Sequence, residues 1–209
     1  MRCFAVLLLA AGPAFAGGEK AGKFDYYVLA LSWSAAWCAL TGDARGAEQC
    51  EARHNFTFTL HGLWPQDEAG WPGRCRSAEA PPSRGETRAM EDIMGSAGLA
   101  WHEWQVHGTC SGLSARDYFA LSRQAYGKIT IPEVLARVDR PLTVAPGVIE
   151  AALIEANPGL EPAMVTILCE GGRISEARIC LTKGLEFRAC GIDAARDCRA
   201  DGAVLEPVR

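Results

Sequence analysis

Apolar and polar positions change rhythm along this chain, and each rhythm predicts an element. Residues 24–33 are β-prone and nearly continuous in apolar character, which predicts a largely buried strand. Residues 55–61 alternate strictly, with Phe56, Phe58 and Leu60 set against Thr57, Thr59 and His61. Successive strand side chains point to opposite faces, so the first set faces the core and His61 ends the polar face. Gly62 is expected to break that strand. Residues 34–49 are small and polar and predict a loop; the proline-bearing stretch 71–84 predicts a surface loop. Residues 86–94 permit a helix, interrupted by Gly95 and Gly98, and 101–110 reads as a short helix or helical turn. Ser114 starts a helix with Tyr118, Leu121, Ser122 and Ala125 along one face as far as Gly127. Pro132 opens another to about residue 138, and 148–156 forms a third, stopped by Asn157 and Pro158. Strands are then expected at 165–169, 174–181 and 185–189. Strands, then helices, then strands predict an α+β fold in a single domain over 17–209, with a central, mainly antiparallel sheet and helices packed on it.

Composition narrows the reading. The 209 residues suit one ordinary domain, and 49% apolar content supports a sizeable core. A net charge of −4 excludes holding nucleic acid through a broad basic surface. Met1 and Arg2 precede a short apolar run, and Ala14-Phe15-Ala16 matches a small-x-small cleavage site. The run is shorter than the roughly 20 residues a bilayer requires. Residues 1–16 therefore read as a cleaved signal peptide, with export to a periplasm or the outside. The mature protein is expected to be soluble, with no membrane association. Cys3 leaves with the signal. Cys38, Cys50, Cys75, Cys110, Cys169, Cys180, Cys190 and Cys198 remain, an even number in an oxidising compartment, so disulfides are the default. Cys38 and Cys50 flank the 34–49 loop and are a candidate staple; Cys180 and Cys190 are a candidate cross-link between two late strands.

The chemistry concentrates in residues 101–110, which hold His102, Glu103, Trp104 and His107, with His61 on the earlier strand. A His-Glu-x-x-His helix binds zinc because histidines four apart share a face. Here they are five apart, some 140° around an ideal helix at about 100° per residue, so a zinc site is not expected. Glu103 and His107 are four apart and share a face, so the carboxylate is expected to support and orient that imidazole. Imidazole both takes and gives protons near neutrality. Two such rings on opposite sides of a phosphodiester can perform an in-line displacement, and RNA brings its own nucleophile, the 2′-hydroxyl. Neither metal nor cofactor is needed. Trp64, Trp101 and Trp104 offer flat faces for bases.

Residues 58–65, containing His61-Gly62-Leu63-Trp64-Pro65, and the pattern His102-Glu103-Trp104-x-x-His107-Gly108-Thr109-Cys110 resemble the two active-site signatures of the ribonuclease T2 family. Residues 27–33 are similar to that family's first strand. The resemblance implies a secreted, metal-independent endoribonuclease that cuts single-stranded RNA through a 2′,3′-cyclic phosphate to 3′-phosphate products. It implies His107 as general base, His61 as general acid, His102 on the phosphate and Glu103 stabilising the transition state. It makes Trp64 a base-stacking residue and Gln66 a candidate base contact; Trp104 is a candidate contact by its flat face alone, and core packing is the other reading of it. It pairs Cys75 with Cys110 across the two active-site segments; Cys169 with Cys198 is a further candidate pair. A monomer is expected. The chain departs from the family at Val106, where a basic residue is usual, and at Gln66, where some members carry an adenine-reading aspartate. Gln66 predicts a relaxed or altered base preference. Two other readings stay open: a ribonuclease-fold binding or storage protein that has lost turnover, and a metal-dependent secreted hydrolase.

Overall fold

The computed structural model describes residues 20–209; the expected signal peptide, 1–16, lies outside them. Among the described residues the strands are β1 (Tyr26–Trp33), β2 (Phe58–Gln66), β3 (Leu142–Val144), β4 (Val165–Glu170), β5 (Arg173–Leu181) and β6 (Ala203–Leu205). They form one sheet in the order β2-β1-β5-β6-β3, with β4 also paired to β5. Every pairing is antiparallel except β5 with β6, which run parallel through Arg173 and Val204. With its packed helices this is a single-domain α+β fold.

β1 is buried on both faces, as its continuous apolar run requires. Leu29, Leu31 and Trp33 join Phe58, Leu60 and Leu63 of β2 and Ala177, Ile179 and Leu181 of β5 in the main core. Tyr118, Phe119 and Ala125 from the helix Ala115–Gly127, and Ile149 and Leu153 from the helix Pro146–Ala156, close that core. On the opposite face, Tyr26 and Val28 pack with Cys180 and Ala194 in a smaller cluster that Trp64 borders. Two tyrosines tie the long helix to β2: Tyr118 donates to the Leu63 carbonyl at 3.0 Å and Tyr126 to that of Phe58 at 2.9 Å. Disulfides join Cys38 to Cys50, Cys75 to Cys110, Cys169 to Cys198 and Cys180 to Cys190. The outer side of β4 is covered by the 194–198 segment, where Cys198 donates to the Ile167 carbonyl and Asp197 accepts from the Ile167 amide.

Three sequence expectations need correction. Gly62 does not end β2, which runs on to Gln66. Residues 34–49 are not a loop: Ser34–Trp37 is α-helical, Cys38–Gly42 a π turn and Asp43–Arg45 a 3-10 turn. Small residues suggested a loop, yet alanine is the strongest helix former, and the helical path ends only where Gly46 turns left-handed at φ 61°. Residues 185–189 form no strand, only a bridge between Leu181 and Phe187. Leu185 sits at φ 65° in a turn closed by its amide bond to the Thr182 carbonyl, which takes the chain off the sheet. β3 and β6 are too short to show a periodicity and were not anticipated.

Candidate active site

A β-bulge organises the site. On β1, Ala30 pairs with Gly62 and Leu31 with Leu60, which leaves His61 as the extra residue of β2. A bulge re-aims the side chains around it. Before it, Phe58 and Leu60 face the core; after it, the phase is reversed and Leu63 does. Trp64 is thereby turned to the same side as His61, with ring centroids 5.2 Å apart and planes at 76°. Gly62 faces that side as well. A Cβ there would collide with Glu103 Oε2 and Trp64 Nε1, so the position accepts no side chain.

The second segment is one helical path in three parts: Ala97–Glu103 is α, Trp104–Gly108 is a π turn, and Thr109–Ser111 returns to α. Ser96 caps it by accepting from the Leu99 amide at 3.3 Å. The π turn widens the coil and rotates everything after it; such turns concentrate at functional sites. Gly108 permits it, because a Cβ would run into Trp104 and lie 3.0 Å from the Tyr118 ring. The Val106 carbonyl is taken up by the Arg74 amide at 2.8 Å, and the Cys75–Cys110 disulfide fastens the same loop one residue further along.

This geometry overturns the expected pairing of Glu103 with His107, which rested on regular α spacing. Glu103 instead accepts a hydrogen bond from Trp64 Nε1 at 2.7 Å and lies 3.7 Å from His61 Nε2. His107 stacks on Trp64, with centroids 5.0 Å apart and planes at 23°. Its Nδ1 is buried without a partner. Trp64 thus touches both imidazoles.

The surroundings push the titrating groups in opposite directions. Burial holds His107 down to about 3, helped by the charges of His61, His102, Arg178 and Arg74. Burial would lower His61 too, but the hydrogen bond and charge of Glu176, and then the charge of Glu103, outweigh it and Arg178 to leave the ring above its ordinary value. Glu103, 2% exposed, is raised by burial to about 7 despite His61 and the Trp64 donor. The surroundings lower one ring and raise the other, so two like groups are driven apart.

Comparison with known proteins supplies the lineage: residues 24–190 match the ribonuclease T2 family. The chain belongs to the ribonuclease T2 family. It is 37% identical to a ribonuclease of Aeromonas hydrophila over 134 residues, 61% of this chain and 59% of that relative, so it spans under two thirds of the relative's length. An RNase-related protein from Calystegia sepium shares the fold, with a TM-score of 0.70 at 21% identity over 90% of this chain and 99% of that one. RNase NT, solved in complex with 5′-AMP, aligns at a TM-score of 0.60 and 25% identity, covering 90% of this chain and all of the other.

Of the residues singled out from the sequence, His61, Glu103, His107 and Trp64 come together, and exposed His102 lies near enough for its charge to act on His107. The candidate base contacts Trp104 and Gln66 are put to structural use instead. Trp104 is 2% exposed and packs on Tyr118 in the core, so it presents no face to a base. Gln66 is 6% exposed and its amide donates to the Gly70 carbonyl at 2.8 Å, which uses it to close a turn. Two site residues went unnoticed in the sequence. Glu176 Oε2 lies 2.6 Å from His61 Nδ1, and Arg178 Nε lies 2.7 Å from Glu176 Oε1. The available signal was two charges of opposite sign alternating with apolar residues in a strand that is otherwise core.

Proposed function

We propose that this protein is an exported endoribonuclease cleaving single-stranded RNA by transphosphorylation, with His107 as general base and His61 as general acid. The observation that carries the reading is two imidazoles packed on one indole, His61 at 5.2 Å and His107 at 5.0 Å from Trp64, with their surroundings raising the first and lowering the second. His107 takes the 2′-hydroxyl proton as that oxygen attacks phosphorus. The bond from phosphorus to O5′ breaks, and O5′ leaves with the electron pair and takes the proton from His61. A 2′,3′-cyclic phosphate results. In the second half His61 accepts a proton from the attacking water, the bond to O2′ opens, and His107 returns its proton to that oxygen. The product ends in a 3′-phosphate and both rings are reset.

His102, exposed and close enough for its charge to act on His107, is assigned to the phosphate. Glu103, protonated below about pH 7, can donate to a phosphoryl oxygen as charge gathers there. These steps use groups of the chain, the RNA and one water. Export rests on the 1–16 signal peptide. The binding or storage alternative has Val106 in its favour, against a site that brings His61, Glu103, His107 and Trp64 together.

The test is cleavage of single-stranded RNA by the purified mature chain in excess chelator, with the products resolved. Cyclic phosphates that mature to 3′-phosphates are expected, together with near-complete loss in His61→Ala and in His107→Ala. Intact RNA under these conditions, or near-normal turnover in the His107 variant, would overturn the reading.

A further inference from the structure

The helix that carries His107 places Val106, an apolar residue, next to the base, although negative charge must accumulate on the phosphoryl oxygens during transfer. The sheet offers a cation instead. Pairing sets Ser32 of β1 between Thr59 and Glu176, and Ala30 between Gly62 and Arg178. The bulged His61 falls between these two rows, and only the small side chains of Ala30 and Ser32 separate it from β5. Glu176, 7% exposed, reaches across to His61 Nδ1 at 2.6 Å. That contact leaves Nε2 as the nitrogen turned to Glu103 and the site. Arg178 gives its Nε to Glu176, and its guanidinium lies over the Trp64 ring at 5.0 Å. Its two terminal nitrogens have no protein partner among the described residues. A cavity of about 330 Å³ beside them is lined by His61, Glu176, Arg178, Ser32 and Ser175.

We propose that β5 supplies a working part of this site: Glu176 is a positioning residue that sets the ring of His61, and Arg178, braced by Glu176, contacts the phosphoryl oxygens. The proposal rests on the ribonuclease reading of the same site. A guanidinium suits the role because it presents planar paired donors to phosphate and is held in place before substrate arrives. Arg74 is the competing cation. Its charge also acts on His107, but its side chain is exposed on the loop after Trp71, with no carboxylate bracing it among the described residues.

The test is steady-state cleavage of a dinucleoside monophosphate, with inorganic phosphate as a competitive probe. Arg178→Ala should lower kcat/KM by about 10²–10³, the effect of removing one preorganised donor. It should also weaken phosphate inhibition at least about tenfold, with Arg178→Lys recovering part of both and Arg74→Ala weakening phosphate inhibition far less than Arg178→Ala does. Glu176→Ala should lower kcat far more than it changes KM. In Glu176→Gln the amide oxygen still accepts from Nδ1 but the charge is gone, so part of kcat should return. The alkaline limb of the pH profile should move about one unit to lower pH. Glu103 and Arg178, the other charged groups facing the ring, remain in that variant. NMR titration of the His61 ring should show the same shift.

Wild-type kcat/KM and phosphate affinity in Arg178→Ala, or an unmoved His61 titration in Glu176→Gln, overturns the proposal. A wild-type chain that leaves RNA intact defeats the ribonuclease reading instead. Phosphate titration and the His61 ring titration then still decide this one.

Discussion

His61 and His107 are the same chemical group in two environments, and the difference follows from their neighbours. His61 meets carboxyl groups on both sides, Glu176 at Nδ1 and Glu103 at Nε2, whereas half-buried His107 meets, among the described residues, a tryptophan face and like charges. The pH–rate profile should therefore be a broad plateau. Its alkaline side falls as Glu103 loses the proton it donates, at about 7, and as His61 loses its own above the usual imidazole value; its acid limb falls only well below that value, as His107 gains one. A narrow bell centred between two ordinary imidazoles would contradict this. Glu103 sets up an opposing cost in stability. Its folded value is raised from 4.5 to about 7, so its contribution is complete below pH 4.5 and is lost as pH rises through 7. Glu103→Gln should therefore be more stable than wild type at pH 8, by about 1–3 kcal/mol, with no comparable gain at pH 4.5. Thermal unfolding at both pH values checks it, and the variant should lose most of its RNA cleavage.

At the level of elements, the bulge in β2 and the π turn in the helix do the positioning. The alternation of Phe58 and Leu60 showed which way β2 faces, but not that the phase reverses at His61; Phe56, expected to face the core, lies before the strand, half-buried and stacked on His54. A bulge depends on where β1 pairs, and no single strand carries that information. Gly62 was legible as a special position and its meaning was not: it admits Glu103 and Trp64 rather than ending the strand. Gly62→Ala should thus cost about 1–3 kcal/mol of stability from overpacking and displace the Trp64–Glu103 hydrogen bond. The readout is denaturant unfolding paired with activity, and activity should fall more than the stability change explains. Tyr118→Phe tests the link between helix and strand. Its hydroxyl is the buried donor to the Leu63 carbonyl, and losing it should cost about 1–3 kcal/mol by chemical denaturation. A change below 0.5 kcal/mol would show that the carbonyl finds another partner, with ~0.5 kcal/mol being the edge of ordinary surface effects.

For the whole molecule, the site exists only because several separately positioned pieces are held together. The Cys75–Cys110 bridge, spanning 35 residues, ties the helix of His107 to the loop bearing Arg74. Replacing both cysteines with serine should cost about 2–4 kcal/mol. Thermal unfolding would reveal it, as would an earlier loss of activity than of sheet structure on heating; coincident losses would mean the bridge does not favour the site over the rest.

The sequence by itself determined the local and the periodic: buried β1, the start of β2, the long helix after Ser114, the cysteines and the histidine-bearing motifs. Each of these is written within one short stretch, in spacing and residue type. Only the tertiary structure decided the charge state of each histidine and the companion of His61. Glu176 is 115 positions away in the chain. It arrives through the registers of β1 with β2 and with β5, and a proton's affinity depends on the burial and charges that only this assembly brings together.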